Sequence, residues 1–209
     1  MTDRQRLFLG SAGLGALPDW LASASRPVRR AVLVPTAANP MPSAPWVDDA
    51  REVLTGAGIR VDWLDLEQAH EDDVRGALEP AEVVFVAGGF PLFLLDHAMR
   101  SGFARLVVPA VRDGRLDYVG ISAGAALAAP DLAYFREADA AIDPGDPGVA
   151  ASTAGLALAP FLVLAHRNRG RAARHDRQIA QQGADNVVSI DDHQAVAVDG
   201  DSWRVIDSY

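Results

Sequence analysis

The chain predicts an α/β fold: a mostly parallel sheet with helices on both faces and an antiparallel hairpin at its C-terminal edge. Three observations carry this. Short apolar runs alternate with helix-period segments over most of the 209 residues. One run, Val83-Val-Phe-Val-Ala87, is continuously apolar, as expected for a strand covered on both faces. The last two runs flank Asp199-Gly200, a hairpin turn signal. Strands alternating with helices indicate βαβ units, whose crossovers lay helices on both sides of a parallel sheet. Residues 1–209 are read as one such domain, long enough to bury a full central sheet.

In chain order, Arg6 to Gly10 reads as a first core strand running into a glycine loop. Ala31-Val-Leu-Val-Pro35 is a buried strand. Trp46, Ala50, Val53, Leu54 and Ala57 recur at helical spacing, with Gly58 as the stop signal. Val61 to Leu66 is a strand, and His70 to Leu78 a helix with Glu71, Asp72 and Asp73 in its first turn. After the strand Val83–Ala87 come helices Leu92–Arg100 and Phe103–Arg112. Tyr118–Ile121 is a strand and Ala125–Ala129 a small-residue helix. A looser Gly/Pro/Asp-rich stretch runs from Asp139 to Gly148. Phe161–Ala165 and Asn186–Ile190 are strands enclosing a helix, Arg174–Gln182. Ala195–Val198 and Trp203–Ile206 form the hairpin.

Composition removes several chemistries. There is no Cys, and all 19 cationic side chains are Arg, so Lys is absent too. Disulfides, thiolate nucleophiles and Cys-based metal sites are excluded. So are a phosphate-loop lysine, a Schiff-base lysine and a Ser–Lys dyad. A net charge of −9 argues against nucleic acid or an anionic membrane as partner. The longest apolar stretch, Ala154 to Ala165, contains Pro160 and falls short of the roughly 20 residues of a membrane span. Arg4 and Arg6 before Leu7-Phe8-Leu9, with Ala22-Ser23-Ala24 beyond, mimic a secretory leader. Asp3 and the glycines at 10, 13 and 15 oppose that, and the protein is expected in the cytoplasm.

In a parallel α/β sheet the ligand site lies at the carboxyl ends of the strands. Gly10-Ser-Ala-Gly13-Leu-Gly15 has the wrong glycine order for a dinucleotide loop and is read as a flexible first loop. Gly88-Gly89-Phe90-Pro91 lets backbone approach a ligand closely and aims N–H groups into the cleft at a helix N-terminus. Gly120-Ile-Ser122-Ala-Gly124 is G-x-S-x-G between a strand and a helix, the context a nucleophile elbow requires. Of the five histidines, His70 and His97 read as surface or packing residues, and His175 as solvated among arginines. His166 directly follows an apolar strand and is the preferred base for Ser122, with His193 as rival. Asp191 and Asp192 end the next strand, and either can orient the base. Neither His70-Glu71 nor Asp191-Asp192-His193 has the partners a metal site needs, so neither metal nor cofactor is expected.

At these residues the chain resembles the dipeptidase E and cyanophycinase family of serine peptidases. The resemblance rests on Phe85-Val-Ala-Gly-Gly89, on Tyr118 to Gly124 followed by Ala125-Ala126-Leu127-Ala128, on Leu164-Ala165-His166, and on Ser189-Ile-Asp-Asp-His-Gln-Ala195. It covers about Ala31 to Val198. It implies a three-layer, flavodoxin-like sheet related to class I glutaminases, and hydrolysis of short peptides, with N-terminal aspartyl dipeptides the preference of dipeptidase E. By position, Ser122 resembles the nucleophile, His166 the general base and Asp192 the triad acid. The N–H groups of Gly89 and Ala123 resemble the oxyanion hole, and Gly88, Phe90 and Arg167 fall where substrate binds. Two departures stand out. Phe90-Pro91 replaces the usual Asn after the glycine pair, and the segment after His166 is short and rich in arginine.

Overall fold

Leu7 and Leu9 of the first strand pack into one apolar layer and Phe8 into another, and the helices on the two faces of the main sheet follow that division. The computed structural model describes residues 4–136 and 152–209. Its strands are β1 (Arg6–Gly10), β2 (Arg30–Val34), β3 (Arg60–Trp63), β4 (Val83–Val86), β5 (Asp117–Ile121), β6 (Leu162–Leu164), β7 (Val187–Ser189), β8 (Gln194–Asp199) and β9 (Ser202–Asp207). Seven of them form one sheet in the order β3-β2-β4-β5-β1-β8-β9. The first five in that order pair in parallel, and β8 and β9 add antiparallel pairs beside β1. This is the mostly parallel sheet with an antiparallel C-terminal hairpin that the sequence predicts.

Helices α1 (Leu17–Ala22) and α2 (Pro45–Gly56) cover one face, where Leu17, Leu21, Val47, Ala50 and Leu54 meet Phe8, Leu33 and Phe85. Helices α3 (Glu71–Leu78), α4 (Pro91–Arg100), α5 (Phe103–Arg112) and α6 (Ala123–Leu127) cover the other, against Leu7, Leu9, Val84 and Val86. The last helix, α7 (Ala172–Gln182), lies beyond β6. Period-2 alternation along β1 and β4 thus feeds two cores, one per face.

Two features depart from the sequence expectation. The short helix α1 stands where the sequence predicts no element; its six residues present a single i, i+4 apolar pair, Leu17 and Leu21, too brief for a periodicity signal. And β6 and β7 leave the main sheet and pair in parallel with each other. Their apolar side chains Leu162, Leu164 and Val187 pack on Ala126 and Ala129, at and just beyond the end of α6, so the small sheet sits directly over the helix that follows Ser122. The Asp139–Gly148 stretch lies outside the described residues. No helix among the described residues is long and apolar enough to cross a membrane.

Candidate active site

Ser122 follows β5 without a connecting loop, and its backbone sits at φ 52°, ψ −105°. A positive φ is strained for any residue with a Cβ. The strain is held by packing on both sides. Gly120 lies so close to the next turn that a Cβ there would come within 2.4 Å of the Gly124 carbonyl oxygen, and one at Gly124 within 2.1 Å of the Val86 carbonyl oxygen. The buried Tyr118 hydroxyl donates to the Gly124 carbonyl at 2.7 Å, and the Ser122 N–H donates to the Gly10 carbonyl at 2.9 Å. Both glycines of the G-x-S-x-G motif are therefore required by backbone-to-backbone approach, and the serine is lifted to the start of α6.

The Ser122 hydroxyl lies 2.9 Å from His166 Nε2, and His166 Nδ1 lies 2.6 Å from Asp192 Oδ1. The parallel pair β6–β7 accounts for this. His166 and Asp192 follow adjacent strands in the same direction, so both emerge at one edge, over α6. The Arg167 N–H to the Ile190 carbonyl (3.1 Å) and the Asp192 N–H to Asn168 Oδ1 (3.1 Å) stitch the two exits together. The second carboxylate oxygen of Asp192 accepts from Arg169 Nε at 2.6 Å. Asp191 instead turns its N–H to Gln194. Of the two aspartates the sequence leaves open, Asp192 contacts the imidazole.

Electrostatics set the protonation states. Burial pushes the His166 imidazole below the ordinary histidine value; Arg169 and Arg171 push the same way, against the hydrogen bond that the ring makes to Asp192. Burial alone would raise Asp192, but the hydrogen bonds from Arg169 and His166 outweigh it and hold the carboxyl below the usual range. At neutral pH the imidazole is thus unprotonated at one nitrogen beside an ionised carboxylate. A neutral imidazole at 2.9 Å can take a proton from a hydroxyl, and the carboxylate stabilises the cation that results.

These groups open into a cleft of about 430 Å³ whose lining includes Gly88, Gly89, Phe90, Ala123, Tyr134 and Arg171. Gly88 abuts the Ser122 side chain, where a Cβ would lie 3.1 Å from that of Ser122. Gly89 has φ 151°, and a Cβ there would fall 1.9 Å from the Ala37 carbonyl oxygen. The glycine pair is needed as much for the protein's own packing as for ligand approach. Phe90 donates its N–H to that same Ala37 carbonyl at 2.7 Å, and Pro91 opens α4 at a position where no N–H partner is needed. The N–H of Ala123, at the first turn of α6, is one of those a helix leaves without an internal partner.

Three sequence expectations are corrected. Arg167, expected against substrate, donates to Asp176 Oδ1 at 2.7 Å, captured by the carboxylate of α7; Arg169 and Arg171 line the cleft in its place. His175, expected in solvent, is buried, with Nδ1 2.7 Å from the Ser189 hydroxyl. Burial, with Arg167, Arg171 and Arg174 nearby, pushes its imidazole down to about 4. The glycine-rich loop after β1, expected to be flexible, is tied down: Ala12 and Gly13 donate their N–H groups to the Asp192 carbonyl at 3.1 and 2.8 Å. Sequence reading missed Ser11 in that loop, a buried hydroxyl 3.3 Å from His166 Nδ1. His193 stacks on Tyr209, and His97 against Phe93, each away from Ser122. Among the described residues no group of three or more acidic or histidine side chains is arranged to hold a metal ion.

A strained serine at a strand–helix turn of a parallel sheet, with an imidazole on its hydroxyl, defines the α/β serine hydrolases as a class. The chain belongs to peptidase family S51, whose family profile matches residues 9–206, and it is a serine peptidase. It is 29% identical over 201 residues to an uncharacterised peptidase of Pasteurella multocida (strain Pm70), covering 95% of each chain. It is 36% identical over 117 residues to peptidase E of Streptomyces coelicolor, which covers 56% of this chain and 43% of that protein. A crystal structure of a candidate peptidase E protein from Listeria monocytogenes EGD-e shares the fold with a TM-score of 0.83 at 23% identity, covering 97% of this chain and 98% of that one.

Proposed function

We propose that the protein hydrolyses short peptides through an acyl-enzyme on Ser122. The observation that carries the reading is the pair of contacts in series, Ser122 Oγ to His166 Nε2 at 2.9 Å and His166 Nδ1 to Asp192 Oδ1 at 2.6 Å. His166 removes the hydroxyl proton as Ser122 attacks the scissile carbonyl carbon, and the N–H groups of Gly89 and Ala123 receive the oxyanion. The imidazolium then gives its proton to the leaving amine, and the C–N bond breaks. In the second half His166 takes a proton from water, which attacks the ester; collapse returns that proton to Ser122 and frees the acid. Asp192 keeps the ring oriented and stabilises its cationic form throughout.

The substrate reading follows from the cleft. Its volume suits a ligand of a few residues, with Phe90 and Tyr134 among its apolar walls and Arg171 as a cation. Arg169 is already engaged by Asp192, which leaves Arg171 to meet a substrate carboxylate, as in an aspartyl peptide. The test is a panel of aspartyl and non-aspartyl dipeptides beside aryl esters, run on the wild type and on Ser122→Ala. We expect dipeptide turnover, fastest for aspartyl substrates, and a loss of at least about 1,000-fold in folded Ser122→Ala. Hydrolysis of esters alone would make the protein an esterase, and unchanged turnover in Ser122→Ala would overturn the assignment.

A further inference from the structure

Ser11 is the one residue of the loop after β1 whose side chain meets the imidazole, and the reaction as written makes no use of it. It is completely buried. Its hydroxyl oxygen accepts the backbone N–H of His166 at 2.8 Å and lies 3.3 Å from His166 Nδ1. Its own N–H is anchored on the Gln194 carbonyl at 3.1 Å. The next two residues hold the Asp192 carbonyl, so three consecutive positions grip both the imidazole and the carboxylate residue.

The grip has something to hold. His166 sits at φ 63°, ψ 35°, in the left-handed region, which is strained for a non-glycine residue. Without a partner its N–H would also be lost to a half-buried edge. The Ser11 hydroxyl answers both needs by fixing that N–H in the conformation that swings the ring over Ser122. At the ring, Nε2 must keep its lone pair to accept the Ser122 proton, so Nδ1 carries the hydrogen. That hydrogen points at Asp192 Oδ1, with Ser11 Oγ as a second, longer acceptor.

We infer that Ser11 is a positioning residue for the hydrolytic reaction: its hydroxyl pins the left-handed backbone of His166 and shares the Nδ1 hydrogen with Asp192, so that Nε2 faces Ser122. The inference rests on the reading of His166 as the base. The imidazolium is the stronger donor, so the hydroxyl favours the protonated ring. It therefore acts with Asp192 and against Arg169 and Arg171, the cations near the ring.

The experiment is the rate of Ser122 labelling by an uncharged fluorophosphonate, measured against pH. The variants are Ser11→Ala, Ser11→Cys and Ser11→Thr, beside Ser122→Ala and His166→Ala. Cysteine keeps the packing but is a much weaker acceptor, and threonine keeps the hydroxyl. Ser11→Ala and Ser11→Cys are expected to fold, to label about 10- to 100-fold more slowly, and to move the acid limb of the pH profile to lower pH. Ser11→Thr is expected to recover most of the rate. Wild-type rate and acid limb in folded Ser11→Ala or Ser11→Cys would overturn the inference. So would a failure of both to fold, which would make the hydroxyl a stability element alone. If Ser122→Ala or His166→Ala labels like the wild type, the hydrolytic reading itself fails and the inference with it. If both block labelling while the Ser11 variants behave as wild type, only the role of Ser11 falls.

Discussion

Two aspartates, each held by arginine, mark the two edges of the sheet, and they are held for different ends. Asp117 opens β5 at the amino edge and is wholly buried between Arg6 at 2.7 Å and Arg26 at 3.1 Å. Asp192 lies at the carboxyl edge, partly exposed, between Arg169 and His166, each at 2.6 Å. Burial dominates at Asp117 and raises its carboxyl above the usual range despite both guanidinium groups. At Asp192 the partners win and the carboxyl is lowered. The same pairing chemistry serves at one edge as a brace and at the other as a poised charge. Degree of burial separates them, because a guanidinium offsets desolvation fully only where water still reaches the pair.

The largest effect expected from breaking this contrast is at the carboxyl edge. Asp192→Asn keeps the shape but removes the charge that orients the imidazole, and should lower peptide turnover roughly 1,000- to 10,000-fold with little change in the melting temperature. Asp191→Asn should leave turnover within a few-fold; if it behaves like Asp192→Asn, the acid is misassigned. At the amino edge the signs reverse. Asp117→Asn leaves two partly buried guanidinium groups without their counter-charge, one of which already has a partnerless Nε–H, and should cost about 3–5 kcal/mol in urea unfolding. The surviving folded fraction should keep its turnover per molecule.

A smaller effect sharpens the contrast through a neutral buried group. His175 is pushed down to about 4 in the folded state against roughly 6.5 when unfolded. Below pH 6.5 the unfolded chain binds a proton that the native state refuses, so stability present above that pH is lost as pH falls toward 4. The loss should be on the order of 2–3 kcal/mol, with the lowered His166 adding in the same direction. Urea midpoints at pH 7.5 and 5.0 should differ less in His175→Gln than in the wild type. An equal difference in both would remove His175 as a source.

Most of the main sheet was legible because its strands are short, apolar and separated by marked stops: Arg6–Gly10 coincides with β1, and Phe103–Arg112 with α5. What periodicity does not carry is partnership. Nothing in Phe161–Ala165 or Asn186–Ile190 says that they pair with each other apart from the main sheet, yet that pairing brings His166 and Asp192 over Ser122. The same blindness to side-chain direction puts Arg167 against substrate. Gly170, at φ 77° within the turn Arg167–Arg171, bends the backbone so that Arg167 meets Asp176 while Arg169 meets Asp192. His175 was misread because its neighbours are charged, although Ile179, four residues on, shares its helix face and is itself partly buried. Ser11 was hidden by the glycines around it, which suggest freedom where Gly13 is fixed by the Ser208 carbonyl, 1.6 Å from where its Cβ would lie.

The pairing of β1 with both β5 and β8 has a consequence in time as well as in space. Ser11, Ser122, His166 and Asp192 come from four separate strand exits, and the Ser11–His166 contact spans 155 residues of chain. Such long-range closures form after local helices and hairpins, because each must first overcome a large loop entropy. A growing or half-folded copy has Ser122 without His166 and Asp192 beside it. On the proposed mechanism, hydrolytic competence arrives only when the exits of β1, β5, β6 and β7 have come together, so folding itself times its onset.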